Sequence, residues 1–410
     1  MKHSQIMSKK GLKTMKIVVK SQDFIHLAEW VLQVGKKDGF AVFTVNTDGT
    51  ATLKSESLEG LRSASLTYSS SRAITESKEY TIAISSISTV FSALQQKRAE
   101  HTLELDFSAA RFIKVSYEKL VLKLHLTSDT AELLSNSERF AHVGTVNMTD
   151  FTQYFNVLAK VVGNSTIASS FSTVYVGIDR KNSSLELNVS DKMVIAGVTM
   201  PYDASTVEKD EDTLNYKPQL NSKGIEQCIL LPRLGFKNTS ETAQLDVSDA
   251  SLRFTFENGD IATIRRQNLA DIEWWRMRGA FFNTDKTPGL DCITSVSSLM
   301  PSVRIAQLND TGAYKRNAFT ICTSEDSATI SDADDADSAV DQITVHNMLK
   351  TADSSSVKFF YDEFAKAMSV LASKTDHFRI TCYDSYAIII GLQDNDEPTE
   401  DTPIIISTAQ

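Results

Sequence analysis

Glycine is scarce in this chain, 16 of 410 residues, and none of it is arranged to hold a phosphate. Neither a G-x-G-x-x-G nor a G-x-x-x-x-G-K-[ST] run occurs, so the backbone cradle needed by ATP or a dinucleotide is missing. Cysteine is equally sparse. Cys228, Cys292, Cys322 and Cys382 lie far apart, with no C-x-x-C pair and no neighbouring histidine. That spacing suggests neither a zinc site nor a disulfide framework and reads as buried thiols in a reducing compartment. The seven histidines are scattered, and no H-x-x-x-H or G-x-S-x-G run accompanies them. With no catalytic constellation, the expectation is a protein that is not an enzyme and carries no cofactor. No run of about 18 apolar residues is present, and the stretch before Met15 lacks the apolar segment of a signal peptide, so a cytoplasmic protein away from membranes is expected. Positive charge is in deficit as well. Lys and Arg number 42 against 52 Asp and Glu, a net charge of -10, which disfavours a polyanionic partner unless the cations are gathered in one place.

What is present is ordinary globular material, with 41% hydrophobic and 23% charged residues. At roughly 100 to 200 residues per domain the length allows two to four domains. Three segments share one pattern of a short apolar strand, a polar turn and an alternating strand: FAVFTVNTDGTATLKSESLEG from Phe40, STVYVGIDRKNSSLELNVSDK from Ser172, and NAFTICTSEDSATISDADDAD from Asn317. Asp48-Gly49 is a hairpin signal, and Asn182-Ser183-Ser184 and Glu325-Asp326-Ser327 fill the same slot.

A helical period precedes each hairpin. Phe24, Leu27, Ala28, Val31 and Leu32 mark one apolar face; Phe151, Phe155, Leu158, Ala159 and Val162 mark a second; Ile293, Val296 and Leu299 mark a third. Further helical stretches are predicted over Ile87 to Gln96, around Pro232, and from Phe360 to Ala372, where Phe360, Phe364, Ala367, Met368 and Leu371 keep helical spacing. The polar inserts that begin at Ser55 and Asp203 read as connections. A unit of strand, helix, strands, helix, strands thus recurs three times. The predicted organisation is an α+β protein with a disordered extension over 1–14 and repeats over 15–142, 143–285 and 286–410.

Two local features stand apart. Asp332, Asp334, Asp335, Asp337 and Asp341 lack the glycine and closing glutamate of an EF-hand loop and read as a solvated acidic turn. Trp274-Trp275 beside Arg276 is the one dense aromatic spot, with one indole expected in the core and the other available to a partner.

The middle repeat, through Val189-Ser190-Asp191-Lys192-Met193-Val194-Ile195-Ala196, resembles the second domain of the bacterial-type DNA sliding clamp, the β subunit of DNA polymerase III. The family's slot reads Ala-Thr-Asp-Gly-His-Arg-Leu-Ala. Here the aspartate and the closing apolar-Ala pair survive. Ile272, Glu273, Trp274, Arg276 and Met277 fall on a family segment Phe-Pro-Asp-Tyr-Arg-Arg-Val, and the final strand Ile404-Ile405-Ile406 stands where the family has Val-Val-Met-Pro-Met-Arg-Leu. The likeness runs from Met15 to the C-terminus and suggests a divergent, phage-type clamp.

The resemblance implies a head-to-tail homodimer of three-domain chains, with antiparallel sheets outside and helices lining a ring. Such a ring encircles double-stranded DNA without reading sequence, is placed there by a clamp loader, and tethers the replicative polymerase near the nucleoid. It implies a partner-peptide pocket of Met193, Ile195, Ile272, Arg276, Met277, Ile404 and Ile406. Lys36, Lys37, Lys97, Arg98, Lys160, Lys237, Lys366 and Lys374 become candidates for facing DNA. Leu299 and Met300 would meet Leu120 and Leu122 of the second copy. The competing reading is a repeat-built, β-rich structural or virion protein that binds no DNA.

Overall fold

The computed structural model describes residues 15–35, 38–127, 138–163, 169–206, 216–232, 240–282, 287–309, 318–324, 327–332, 339–343, 347–351, 355–399 and 403–408. The described residues of Met1–His142 and Phe236–Arg265 form one compact unit, and those of Val143–Lys209, Asn215–Gly235 and Arg266–Gln410 form another. Strands β14 to β16 of the second predicted repeat therefore group with the first unit, and its other elements with the second.

In the first unit β1 (Lys16–Lys20) runs directly into α1 (Ser21–Leu32). Then follow β2 (Phe40–Val45), β3 (Thr50–Ser57), β4 (Gly60–Ser69), β5 (Lys78–Ala83), α2 (Ile84–Gln96), β6 (Thr102–Asp106), β7 (Phe112–Tyr117) and β8 (Leu120–His125). The chain continues through β9 (Ala141–Asn147), α3 (Met148–Val162), β10 (Val174–Asp179), β11 (Ser184–Ser190), β12 (Val194–Pro201) and β13 (Glu226–Leu230). Next come β14 (Thr242–Val247), β15 (Ser251–Phe256), β16 (Ile261–Arg265) and α4 (Trp274–Phe282). The remainder is β17 (Leu290–Ser295), α5 (Val296–Asn309), β18 (Ala318–Ser324), β19 (Ser327–Asp332), β20 (Ala339–Ile343), β21 (Asn347–Thr351), β22 (Ser355–Phe360), α6 (Tyr361–Leu371), β23 (His377–Cys382), β24 (Tyr386–Gly391) and β25 (Ile404–Ser407). A strand passing straight into a helix recurs at β1, β9 and β17.

The first unit is built on the antiparallel order β8-β7-β6-β1-β4-β16-β15-β14, with β3 joining β2 and β5 to β4. The insert from Ser55, expected as a connection, contains β4, a strand in the middle of this sheet. Its core-facing row runs Arg62, Ala64 and Leu66, and the charge within it hides the apolar signal. Arg62 is fully buried, its guanidinium 5.2 Å from the Trp30 ring of α1, and desolvation lowers its pKa to about 10. The Trp30 indole N–H donates to the carbonyls of Ser63 and Ile261 at 3.1 and 3.2 Å. α1 therefore seats Phe24, Leu27, Ala28, Trp30 and Val31 on the sheet, each large apolar side chain contributing about 1.5 to 3 kcal/mol of burial free energy.

One ion pair on α1 is titratable. His26 Nε2 lies 2.7 Å from Asp260 Oδ2, and this hydrogen bond raises the imidazole pKa above its ordinary 6.5. A raised folded-state pKa stabilises fully below the unfolded value and loses that contribution as pH rises through the folded value. The melting temperature of the native chain should therefore fall relative to His26→Gln as pH increases from just below 6.5 upward, as read by thermal melts of both proteins. Parallel pH profiles would contradict the pairing.

The second unit holds a nine-stranded sheet, β13-β10-β11-β12-β25-β24-β23-β17-β21, and a four-stranded sheet, β20-β19-β18-β22. α3 begins where Asn147 Oδ1 accepts the Asp150 amide at 3.0 Å and stops at Gly163, whose φ of 71° suits glycine. Phe364, Ala367, Met368 and Leu371 of α6 are buried as their spacing predicts. Phe360 differs, closing β22, and Ile293 lies in β17 because α5 starts only at Val296. Residues 233–239, after the helix expected at Pro232, lie outside the described residues, as do Glu325, Asp326, Asp334, Asp335 and Asp337. No helix among the described residues is long and apolar enough to cross a membrane, and no cluster there could hold a metal.

Candidate functional site

Antiparallel register places Ile229, Tyr175, Asn188 and Gly197 side by side across β13, β10, β11 and β12. Residues directly opposite share a face, so this row projects from one surface of the sheet, with Ile195 two residues along β12 on the same surface. β25 continues the sheet: Ile195 pairs with Ile405, and Ile405 with Ile388 of β24. One apolar seam results, made of Tyr175, Ile195, Ile229, Trp274, Tyr386, Ile388 and Ile405, with Leu269, Ile272, Met277 and Phe281 packed against it.

α4 covers the seam. The segment before it is fixed by Gln227, whose amide donates to the Ile272 carbonyl at 2.6 Å while its carbonyl oxygen accepts the Ile272 amide at 3.2 Å. Trp274 then inserts edge-on against Tyr175, ring centroids 5.0 Å apart, and is 3% exposed. At the other end Phe281 meets the Tyr386 ring at 5.0 Å, and the Tyr386 hydroxyl donates to the Phe281 carbonyl at 3.1 Å. Trp275, the second indole, is 38% exposed, with Lys223 and Arg276 at 4.9 and 5.2 Å from its ring.

Arg278 of α4 crosses to the sheet. It is 9% exposed, and its Nη2 donates to Asn188 Oδ1 at 2.7 Å. Gly197 is required below it, since a Cβ there would stand 2.4 Å from that nitrogen and from Asn188 Oδ1. Burial brings the guanidinium pKa down to about 10. Glu186, on the same strand as Asn188, has its carboxyl raised above the ordinary range, chiefly by burial.

Of the residues expected to form the pocket, Ile195, Ile272 and Met277 come together in this seam. Ile404 and Ile406 do not: strand alternation turns them to the opposite face, where Ile404 borders Val370 and Leu371 of α6. Ile405 takes their place. Met193 sits in the turn before β12, its carbonyl accepting the Ser407 amide at 2.8 Å, and Arg276 is largely exposed and paired with Glu273 at 2.7 Å. α4 lies over this seam. Tyr175, Ile229, Tyr386, Ile388, Ile405 and Arg278 were not anticipated. Period-two alternation on β24 and β25 selects three of them only once the register of Ile195 with Ile405 is fixed.

Lys97 and Arg98 are exposed at the end of α2, and Lys160 is exposed in the last turn of α3. Lys366 is not available to a phosphate, being held by Asp191 at 2.6 Å and Glu363 at 3.0 Å. Lys374 lies 4.1 Å from the Tyr154 ring and donates to the Thr199 carbonyl at 3.3 Å. Lys36, Lys37 and Lys237 lie outside the described residues. Leu299, expected at an interface, is instead 1% exposed in the core. The helical period that buries it brings out Ile305 and Leu308, 44% and 78% exposed. Met300 borders a cavity of about 430 Å³ with Pro301, Arg304, Tyr361 and Met368. Leu120 and Leu122 are half-buried on β8, the terminal strand of its sheet, beside the 51% exposed Val121.

No protein-family model matches the sequence, and no curated protein matches it. Solved structures do. The beta sliding clamp of C. crescentus superposes with a TM-score of 0.74 at 11% identity, covering 98% of this chain and 100% of that one. The DNA polymerase III subunit beta of Pseudomonas aeruginosa gives 0.71 at 10%, covering 97% and 100%. The Helicobacter pylori beta clamp bound to a DNA ligase peptide gives 0.71 at 11%, also covering 97% and 100%. The chain has the α+β sliding-clamp fold over its length.

Proposed function

From this chain-long clamp fold we propose that the protein is a DNA sliding clamp, a non-enzymatic processivity factor that encircles duplex DNA and holds a polymerase to it. The observation that carries the reading is the coverage of 97 to 98% of this chain and all of the matched clamps at TM-scores of 0.71 to 0.74. Shared architecture at that extent supports three clamp domains, 15–142, 143–285 and 286–410, in a head-to-tail homodimer that a loader would open. Tethering then works by topology: a polymerase attached to an encircling ring rebinds at an effective concentration that no single contact supplies. The seam beneath α4 is the place for the partner's peptide, a reading supported by the H. pylori clamp bound to a DNA ligase peptide. Light scattering at micromolar concentration should give the mass of two chains, and a persistent monomer would contradict the ring.

DNA contact is assigned to Lys97, Arg98 and Lys160. Charge reversal of all three to glutamate should weaken retention on circular DNA and lower the slope of log affinity against log salt by roughly 0.9 per lost phosphate contact. The dimer mass should not change. Unaltered retention would exclude these residues from the channel. In a ring the acidic surplus would lie mainly on the outer surface, limiting nonspecific association while a few cations face the duplex.

A further inference from the structure

A cleft of about 430 Å³ separates α5 from α6 within the second unit, a volume equal to that of roughly fourteen liquid waters. Its origin is local. Pro301 lies inside α5 and has no N–H to offer the Ser297 carbonyl, which loosens the helix on the side that meets the cleft. Across the gap α6 presents Ala365, Ser369 and Ala372 at helical spacing, side chains too short to fill it. The Ser369 hydroxyl bonds within its own helix, donating to the Ala365 carbonyl at 2.8 Å. The floor is apolar, made by the buried Val303, Tyr361 and Met368 with the half-buried Met300. Arg304 and Gln307 stand at the rim, both exposed. Arg304 is the one charged side chain lining the cleft, and it forms no ion pair among the described residues.

We propose that this cleft binds a small amphiphilic carboxylate, an apolar body of about a dozen heavy atoms ending in one acid group. The body would lie on Met300, Val303 and Met368, where two flexible, polarizable thioethers can follow the outline of an aliphatic or aromatic ligand. The carboxylate would take parallel N–H bonds from Arg304, and the Gln307 amide, three residues along the same helix face, can donate to it as well. A neutral apolar molecule would cover the floor but gain nothing from Arg304. An inorganic anion would meet Arg304 but leave the apolar floor in water. The pairing of one unpartnered guanidinium with an apolar floor therefore selects a ligand that carries both features. The site is separate from the seam, since α4 contributes nothing to it, and it depends neither on ring closure nor on DNA.

The test titrates the full chain by calorimetry with phenylbutyrate and with phenylbutyramide, which differ only in carboxylate against amide. The acid should bind about three- to tenfold more tightly, the range of a charged hydrogen bond weakened by its exposure to water. Arg304→Gln should remove that preference. Ala365→Leu, which fills the cleft, should lower the affinity for both ligands by about tenfold or more. In the native chain the methyl resonances of Met300 and Met368 should shift during the titration, which locates the ligand even if a variant fails to fold. Equal affinity for acid and amide would overturn the carboxylate site. Binding that moves neither methionine would place the ligand elsewhere and overturn the cleft, and no binding at millimolar ligand would overturn the proposal outright.

Discussion

Trp274→Ala is expected to lower the unfolding free energy by about 3 to 5 kcal/mol, the usual cost of emptying a buried Trp or Phe site. Trp274 is 3% exposed, joins α4 to the seam through Tyr175, and its indole N–H makes no hydrogen bond among the described residues, so the loss is one of packing. Against a typical total stability of about 5 to 15 kcal/mol this is a large fraction. It should show as a lower denaturation midpoint and a partial loss of blue-shifted indole emission, with that of the buried Trp30 retained. Trp275→Ala, which removes a ring 38% exposed, should stay within about 1 kcal/mol. Similar costs for the two would contradict the placement of α4 as the cover of the seam.

The second large effect is on assembly. Ile305 and Leu308 on α5 are large apolar side chains held in water at 44% and 78% exposure, and the terminal strand β8 shows Val121 at 51%. In the proposed ring α5 of one copy meets β8 of the next, which gives both surfaces a partner. Replacing Ile305 and Leu308 together by aspartate removes two anchors of at least about 2 kcal/mol each and inserts two charges. The dimer dissociation constant should rise by roughly a thousandfold or more, leaving monomers at micromolar concentration by sedimentation. Circular dichroism should not change, because neither side chain is part of the core. An unchanged dimer would move the contact away from α5.

The clearest sequence signals came from helices with an uninterrupted apolar face. Phe24, Leu27, Ala28 and Val31 on α1, Phe151, Phe155 and Leu158 on α3, and Phe364, Ala367, Met368 and Leu371 on α6 are all buried. The fold class follows from those helices alternating with hairpins. β4 was hidden because its core-facing row carries Arg62, whose burial is tolerated through Trp30 on α1, a partner distant in sequence. At the seam Ile195, Ile272 and Met277 could be named from their places in the chain, but Ile404 and Ile406 could not be told from Ile405. Strand parity is invisible until the register Ile195 to Ile405 is known. Lys366 read as a free cation for a similar reason, since Asp191 reaches it from 175 residues away in sequence.

The central claim is that two chains close around duplex DNA, and particle images of the purified protein address it most directly. Closed rings built from two copies, with a central hole wide enough for a double helix, are the predicted result. Compact or open particles without such a hole would contradict it.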